Sequence, residues 1–235
     1  MQPFRRFRFV LAVALAATCG IAVAAPPVPP FTANYRVLQN GSPIGKAILK
    51  LAPGANGSWT FTTQSQGTAG LASLLAASTR EVSTFRWVGD LPQGESYDYT
   101  MKTALKQKQR QVHFDWTKHV IDVNDNGSFR FPTQPGAMER HTIPLALAAG
   151  LAAGKTSFTL PVAVRDRIEM QHYAAQGKQD VSVPAGTFAA TRISRTDGGE
   201  GIEAWFAPMK LPAPIKIEQR GKNGFSLELE SWSAR

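Results

Sequence analysis

The residues best suited to acid–base chemistry are His113 and Asp115, two positions apart in a run of alternating polarity. A histidine oriented by a carboxylate can act as a general base, and such a pair would suit a hydrolase. No nucleophile motif stands beside it, and the sequence contains no G-x-S-x-G, H-E-x-x-H, P-loop or G-x-G-x-x-G motif. We therefore favour a solvated surface pair and predict no catalytic residues.

The segment from Asp122 to Gly127 resembles the start of a calcium-binding EF-hand loop, with oxygen ligands at positions 1, 3 and 5 and glycine at position 6. Position 12 is Thr133, whereas the EF-hand requires a bidentate glutamate there. Residues 120–123 and 129–131 have the composition of strands. The sequence thus predicts a hairpin turn closed by Asn-Gly, with no metal and no cofactor.

A basic stretch could bind an anionic partner. It consists of four even-numbered residues, which an extended hairpin is expected to place on one face: Lys102, Lys106, Lys108 and Arg110. One interpretation is a docking patch for an anionic lipid, through peripheral membrane contact, or for an acidic protein. The alternative is a solvated hairpin whose lysines protect a sheet edge from pairing.

Aromatic side chains could bind an apolar ligand. The chain has 5 Trp and 13 Phe, and several lie in or beside predicted strands. We predict that four of them line a hydrophobic cavity inside a curled sheet: Trp87, Phe114, Trp116 and Trp205. The alternative is a filled core, which the sequence does not distinguish from a lined cavity.

Period-two alternation of apolar and polar residues dominates the chain, as in Tyr97, Tyr99 and Met101. Asn-Gly dipeptides, which favour tight hairpin turns, separate the runs at residues 40–41, 56–57, 126–127 and 223–224. Pro184 and Gly186 are expected to shape a further turn. The pattern predicts a mainly β protein: a single antiparallel curled sheet or open barrel of roughly a dozen strands.

One helix is predicted at about 142–153. Thr142 would cap it, Pro144 lies in its first turn and Gly154 follows its end. Ile143, Leu147 and Leu151 recur at helical spacing, so one apolar face is expected to close over the sheet. A second, shorter helical turn is expected at 71–77. No linker divides residues 25–235, which we interpret as a single β-rich domain.

The first 24 residues have the features of a cleaved signal peptide: Arg5, Arg6 and Arg8, then an apolar run that ends in Ala22-Val23-Ala24. A membrane anchor is the alternative, but the run is short for a span. Lipoprotein processing at Cys19 is disfavoured because Ala16 and Thr18 do not fit a lipobox. We predict a periplasmic protein. The chain has 26 basic and 17 acidic residues, and removal of those three arginines with the signal peptide leaves a net charge of +6. A positive charge favours anionic neighbours, but nucleic acid is not expected in that compartment.

An ordered set of short motifs resembles the bacterial exported family called domain of unknown function 3108. They are Tyr35 with Asn40-Gly41 and Ile44-Gly45, Ser78-Thr79-Arg80-Glu81 through Phe85, Tyr97 and Tyr99, Phe114-Asp115-Trp116, Val183-Pro184-Ala185-Gly186-Thr187-Phe188, and Trp205-Phe206-Ala207-Pro208 followed by Leu211-Pro212. The segment near Met138-Glu139 departs from the family pattern, in which aspartate is commoner.

The resemblance implies a periplasmic, mostly β protein with no established activity. The architecture is also similar to the helix-plugged half-barrels of lipoprotein carriers, which is an analogy of fold alone. Asp115 is expected to have a structural role, accepting backbone N–H groups or pairing with Arg80 or Arg110.

Three functions remain open at this point. The first is a non-enzymatic periplasmic binding or carrier module with an apolar, lipid-like ligand. The alternative is an envelope structural or assembly protein that binds another protein through sheet edges. A further alternative is a hydrolase of envelope polymers.

Overall fold

The computed structural model describes residues 25–208, 210–219 and 224–234. The predicted signal peptide, Cys19 and Asn223 lie outside the described residues. The helices are α1 (Gly70–Leu74) and α2 (Ile143–Ala152). The strands are β1 (Phe31–Gln39), β2 (Ser42–Pro53), β3 (Trp59–Gly67), β4 (Ser78–Val88), β5 (Leu91–Lys102), β6 (Gln107–Asp115), β7 (Val120–Asn124), β8 (Ser128–Pro132), β9 (Met138–Glu139), β10 (Ser157–Ala163), β11 (Ile168–Val183), β12 (Gly186–Arg195), β13 (Ile202–Phe206), β14 (Lys216–Gln219) and β15 (Phe225–Ala234).

All fifteen strands form one open, curled sheet in the order β8-β7-β6-β5-β4-β3-β2-β1-β15-β14-β13-β12-β11-β10-β9. Neighbours are antiparallel except β9, which runs parallel to β10. The two terminal strands pair in the middle of the sheet, with Phe31 opposite Ala234. The prediction of a mainly β, curled antiparallel sheet with a single long helix is confirmed.

The predicted turns have the backbone that their residues favour. Asn40 and Gly41 have φ values of 49° and 80°, and Asn126 and Gly127 have 50° and 142°. Left-handed backbone of this kind is accessible to glycine and, next most readily, to asparagine. Pro184 lies in the turn between β11 and β12, and β12 begins at Gly186.

Helix α2 is buried all round, not on one face. Every residue from Ile143 to Gly150 is buried, so the expectation of a helix with a single apolar face is wrong. Its sequence, IPLALAAGLA, has no polar side chain, and a helix that is apolar on every side is stable only when surrounded. The sheet therefore curls around α2, which packs against β5 and β10.

A second, smaller core joins the β8 side of the sheet to β10. It contains Tyr97, Val112, Phe114, Ile121, Val123, Ala137 and Ala163. The Gly94 N–H donates to the Ala137 carbonyl at 2.9 Å, and a Cβ at Gly94 would lie 2.6 Å from the Phe114 ring. The Phe114 ring can therefore pack this closely over β5 only because residue 94 has no side chain.

Within the described residues, no helix combines the length and the apolar character needed to cross a membrane.

Candidate functional site

The inner face of strands β3 to β6 changes from apolar to polar along the strands. Cross-strand pairing defines three successive rows: Phe61, Ser83, Tyr97 and Val112; then Thr63, Glu81, Tyr99 and Arg110; then Ser65, Thr79, Met101 and Lys108. The first row is buried, whereas the third is half-exposed throughout. The end of the inner face that carries the third row is therefore left partly open to solvent.

Residues 139–142, which lead into α2, cross the first two rows, and His141 holds this segment in place. Its Nε2 lies 2.8 Å from Thr63 Oγ1 and its Nδ1 lies 2.7 Å from Ser83 Oγ. The ring stacks on Phe61 with centroids 4.5 Å apart. Both ring nitrogens are thus engaged, and the side chain is buried. These contacts hold the segment to β3 and β4 at the point where α2 begins.

Glu139 lies beneath the same segment and is 1% exposed. Its Oε2 accepts the backbone N–H of His141 at 2.6 Å, while Oε1 has no hydrogen-bond partner in the described part of the chain. Burial raises the pKa of this carboxyl, and nearby His141 and Ser83 oppose that shift without outweighing it. Glu139 therefore holds the His141 backbone in place, although its own carboxylate is buried with one oxygen unsatisfied.

The Arg140 side chain, unlike those of Glu139 and His141, is half-exposed to solvent. With Glu81, Tyr97, Tyr99 and Arg110 it forms what we term the Arg140 cluster. The Tyr97 hydroxyl donates to Glu81 Oε2 at 2.6 Å and accepts from Arg140 Nη2 at 3.3 Å. The guanidinium lies 5.4 Å above the Tyr99 ring centroid. The Arg140 side chain is 50% exposed, so some of its five N–H donors face solvent.

Arg110 brings a second cation to the cluster, since it is the cross-strand partner of Tyr99. Its Nη1 lies 3.9 Å from Asp125 Oδ2, beyond hydrogen-bonding distance. Within the described residues, neither Arg110 Nε nor Asp125 Oδ1 has a hydrogen-bond partner. Burial lowers the pKa of Arg110, and repulsion from Arg140 adds to the shift. Two guanidinium groups with unused donors suit an anionic ligand.

The predicted docking residues do not share one face. Lys102 pairs with Gln107, and Lys108 pairs with Met101, so Lys102 points to the outer face while Lys108 and Arg110 point inwards. The expectation based on even numbering is wrong because the β5–β6 turn reverses parity between the two strands. Lys102 and Lys106 are exposed, and Arg110 faces Asp125.

The four predicted ligand-binding aromatics lie in two separate clusters of the core. Trp116 stacks parallel to Phe114 at 6.2 Å and donates to the Gly94 carbonyl. Trp87 packs edge-on against Phe85. Trp205 lies in the main core, beneath Arg192 and Lys216. Phe114 and Trp116 therefore pack with the smaller core, whereas Trp87 and Trp205 both pack with the main core, so the four do not form one set.

The predicted polar motifs stabilise turns. Asp115 accepts the backbone N–H groups of Thr117 and Lys118 at 3.1 and 2.9 Å and the Lys118 ammonium at 2.9 Å, rather than pairing with Arg80 or Arg110. These hydrogen bonds, that from the Lys118 side chain first, lower its pKa. In the EF-hand-like segment, Asp122 is held by Arg130 at 2.6 and 3.1 Å. The described residues contain no cluster of three metal-ligating side chains.

The sequence analysis missed the Arg140 cluster. A signal was present: Glu139, Arg140 and His141 are three consecutive ionisable residues, separated only by Thr142 from an entirely apolar helix. Such a run must either stay in solvent or bring its own partners into the fold.

The chain is similar in fold to a crystal structure described as a beta-barrel-like protein of domain of unknown function DUF1849 from Brucella abortus. The TM-score is 0.56 at 11% sequence identity, and the match covers 90% of this chain and 100% of the other. At that identity the likeness concerns the fold alone. The search of curated proteins found no match.

The family comparison covers nearly all of the predicted domain. The model of the family described as "Protein of unknown function (DUF3108)" matches residues 31–230, the stretch that contains every strand of the sheet except the last residues of β15. The motifs from Tyr35 to Leu211-Pro212 lie inside that range, so the resemblance inferred from the sequence is confirmed, and the chain belongs to the DUF3108 family.

Proposed function

We propose that the protein is a non-enzymatic periplasmic binding module that holds a lipid-like amphiphile by its anionic group at the Arg140 cluster. The observation that carries the proposal is Arg140 itself. Its side chain is half-exposed, lies over the Tyr99 ring and donates to the Tyr97 hydroxyl. A second arginine, the incompletely paired Arg110, is the cross-strand partner of Tyr99. A phosphate or carboxylate there would gain charge-assisted hydrogen bonds and offset the repulsion between the two cations.

Apolar surface at the same end of the sheet supports an amphiphilic ligand. The inner face of β1 ends in Val37, whose cross-strand partners are Leu227 and Gly45. Val37 and Leu227 are half-buried against the main core, and Met101 in the third row is half-exposed. An anionic group at Arg140 would thus have apolar side chains within the same curled face for its hydrocarbon part.

The state of the polar groups supports binding rather than catalysis. Both nitrogens of His141 are engaged, and Glu81 already accepts the Tyr97 hydroxyl. Burial raises the pKa of Tyr97, with the Glu81 charge adding to the shift, so the tyrosine remains a neutral donor. None of these groups is a free general base for a substrate. The signal-peptide features of residues 1–24 support the periplasmic location.

The first experiment measures binding of a soluble short-chain phosphatidylglycerol below its micelle concentration, with the matching phosphatidylcholine as the comparison ligand. We expect the anionic lipid to bind more tightly by calorimetry. Arg140→Gln should weaken that binding by about tenfold, the scale of one charge-assisted hydrogen bond. Arg167→Gln is the matched control, since Arg167 is an exposed arginine paired with Asp166 outside the cluster.

Two results would overturn the proposal: no binding of either lipid, or equal affinity in the wild-type protein and Arg140→Gln. Native mass spectrometry of protein purified from an envelope fraction is the complementary test. A stoichiometric adduct of lipid mass that is lost in Arg140→Gln would identify the natural ligand. A clean apo mass together with a stable crosslinked protein would instead favour the envelope-assembly alternative.

A further inference from the structure

Three leucines at one end of the sheet are unusually exposed. Leu71 and Leu74, both on α1, are 69% and 82% exposed, and Leu105, in the β5–β6 turn, is 85% exposed. The other large apolar side chains on the described surface are at most half exposed, Val88 being the highest at 50%. Contiguous exposed apolar residues mark interaction or membrane sites more often than isolated ones do.

Backbone hydrogen bonds hold these leucines on one surface, which we term the leucine end. The Ala104 N–H in the β5–β6 turn donates to the Leu75 carbonyl, just after α1, at 2.8 Å. The β5–β6 turn is itself closed by Thr103, whose Oγ1 accepts the Lys106 N–H at 2.9 Å. The loop before α1 is fixed where the Thr68 and Ala69 N–H groups donate to the Ile44 carbonyl. The leucines are therefore held by helix α1 and the β5–β6 turn, which are joined by a backbone hydrogen bond.

The charge around the leucine end has a single sign. Residues 64–80 and 99–114 contain no aspartate or glutamate. Arg80, Lys102 and Lys106 are exposed there, and Lys108 is half-exposed. An adjoining open groove of about 670 Å³ on the outer face is lined by Lys46, Arg80 and Lys102, again without an acidic side chain. Apolar tips within a cationic, acid-free collar are complementary to an anionic lipid surface.

We infer that the leucine end docks the protein onto an anionic bilayer, with Leu71, Leu74 and Leu105 inserted at the boundary of headgroups and acyl chains and the surrounding lysines against lipid phosphates. A bilayer is the partner we commit to because the apolar side chains project from a short helix and a hairpin turn, rather than lining a groove, and are ringed by cations. This inference goes beyond the proposed ligand site, since it uses none of the residues of the Arg140 cluster.

The test is sedimentation with vesicles made of phosphatidylcholine and phosphatidylglycerol in about equal amounts, compared with pure phosphatidylcholine vesicles. We expect binding to the anionic vesicles that weakens as salt is raised. Leu74→Ser with Leu105→Ser should lower the partition coefficient by at least about tenfold, because two large apolar contacts are lost. Lys102→Gln with Lys106→Gln should lower it severalfold and flatten its salt dependence.

Val88→Ser is the matched control, an exposed apolar residue at the opposite end of β4, and should bind vesicles like the wild type. All the altered side chains are exposed, and an unchanged thermal midpoint for each variant establishes that it is folded. Equal partitioning of the leucine variant and the wild type would overturn the inference. So would a wild-type dimer that the leucine substitutions dissociate without any vesicle binding, since a second copy would then cover the surface.

The two proposals fail separately. Arg140→Gln should leave vesicle binding unchanged, and the leucine variant should bind the soluble short-chain phosphatidylglycerol like the wild type. Loss of vesicle binding in Arg140→Gln would show that the membrane contact runs through the ligand site and would overturn the leucine end as the docking surface.

Discussion

Two arginine–glutamate pairs in this sheet are built differently. Arg192 donates from Nε to Glu203 Oε1 at 2.5 Å and also contacts that oxygen through Nη2. The Glu203 side chain is only 4% exposed, and the Arg192 guanidinium lies 5.9 Å from the Trp205 ring centroid. Arg140 lies 3.9 Å from Glu81, and the two side chains are 50% and 21% exposed.

The difference separates an ion pair that serves the fold from one that can serve a ligand. Two nitrogens of Arg192 contact the same buried Glu203 oxygen, and the Arg192 side chain is 29% exposed, so fewer of its donors face solvent than those of Arg140. Arg140 reaches Glu81 chiefly through the Tyr97 hydroxyl, and its exposed donors remain available. Loss of the first pair should therefore affect stability, and loss of the second should affect binding.

Arg192→Leu is expected to have the largest effect on folding. It removes a cation that contacts a buried carboxylate, and breaking such a pair typically costs about 3 kcal/mol. Urea unfolding followed by tryptophan fluorescence measures the loss. Arg130→Leu is the control, because its pair with Asp122 is exposed and should show no measurable change. A small loss in Arg192→Leu would mean that the two pairs are alike after all.

Glu139→Gln is expected to have a smaller effect, of opposite sign, that depends on pH. Burial raises the pKa of Glu139 in the folded protein above its ordinary value of 4.5. Below that value both states are protonated and the substitution should be nearly neutral. As pH rises through the folded-state pKa, the wild type loses stability and the amide does not. At pH 8 we expect the variant to be more stable by roughly 1 kcal/mol, the scale of one unsatisfied buried polar group.

Thermal or urea unfolding of wild type and Glu139→Gln at several pH values measures this difference. A stability difference that does not change between pH 4 and pH 8 would contradict a buried, raised-pKa carboxyl at this position, since the pH window follows from that shift alone.

Arg140→Gln should have the smallest effect on stability, within about 0.5 kcal/mol, because half-exposed ion pairs contribute little. The same variant is expected to lose ligand affinity about tenfold, as described above. Stability loss comparable to that of Arg192→Leu would place Arg140 among the structural residues and remove the contrast between the two pairs.

Much of the fold follows from local sequence. Alternation fixed the faces of strands such as β5, and Asn-Gly placed the turns at 40–41 and 126–127, because both signals act between near neighbours. The lack of polar residues in α2 indicates burial on every side, whereas the spacing of Ile143, Leu147 and Leu151 alone predicts a single apolar face. The opposite faces of Lys102 and Lys108 could not be predicted, because they depend on the exact pairing register across the β5–β6 turn.

The candidate site was the least predictable part. Tyr97 and Arg140 are 43 residues apart, and His141 reaches back 78 residues to Thr63. Such contacts arise from how far the sheet curls and where α2 enters it, which no local pattern encodes. The run from Glu139 to His141 indicates that ionisable residues enter the fold here, but their hydrogen-bonding partners are known only from the structure.

The pairing of β1 with β15 has a kinetic consequence. The central seam of the sheet joins residues that are about as far apart as the described chain allows, such as Phe31 and Ala234. Forming it requires closing a loop that contains all the other strands, which makes folding slow relative to proteins built on local contacts. A growing chain cannot complete the sheet until β15 has been synthesised, so one edge of β1 stays unpaired until the end of synthesis and remains accessible to a chaperone.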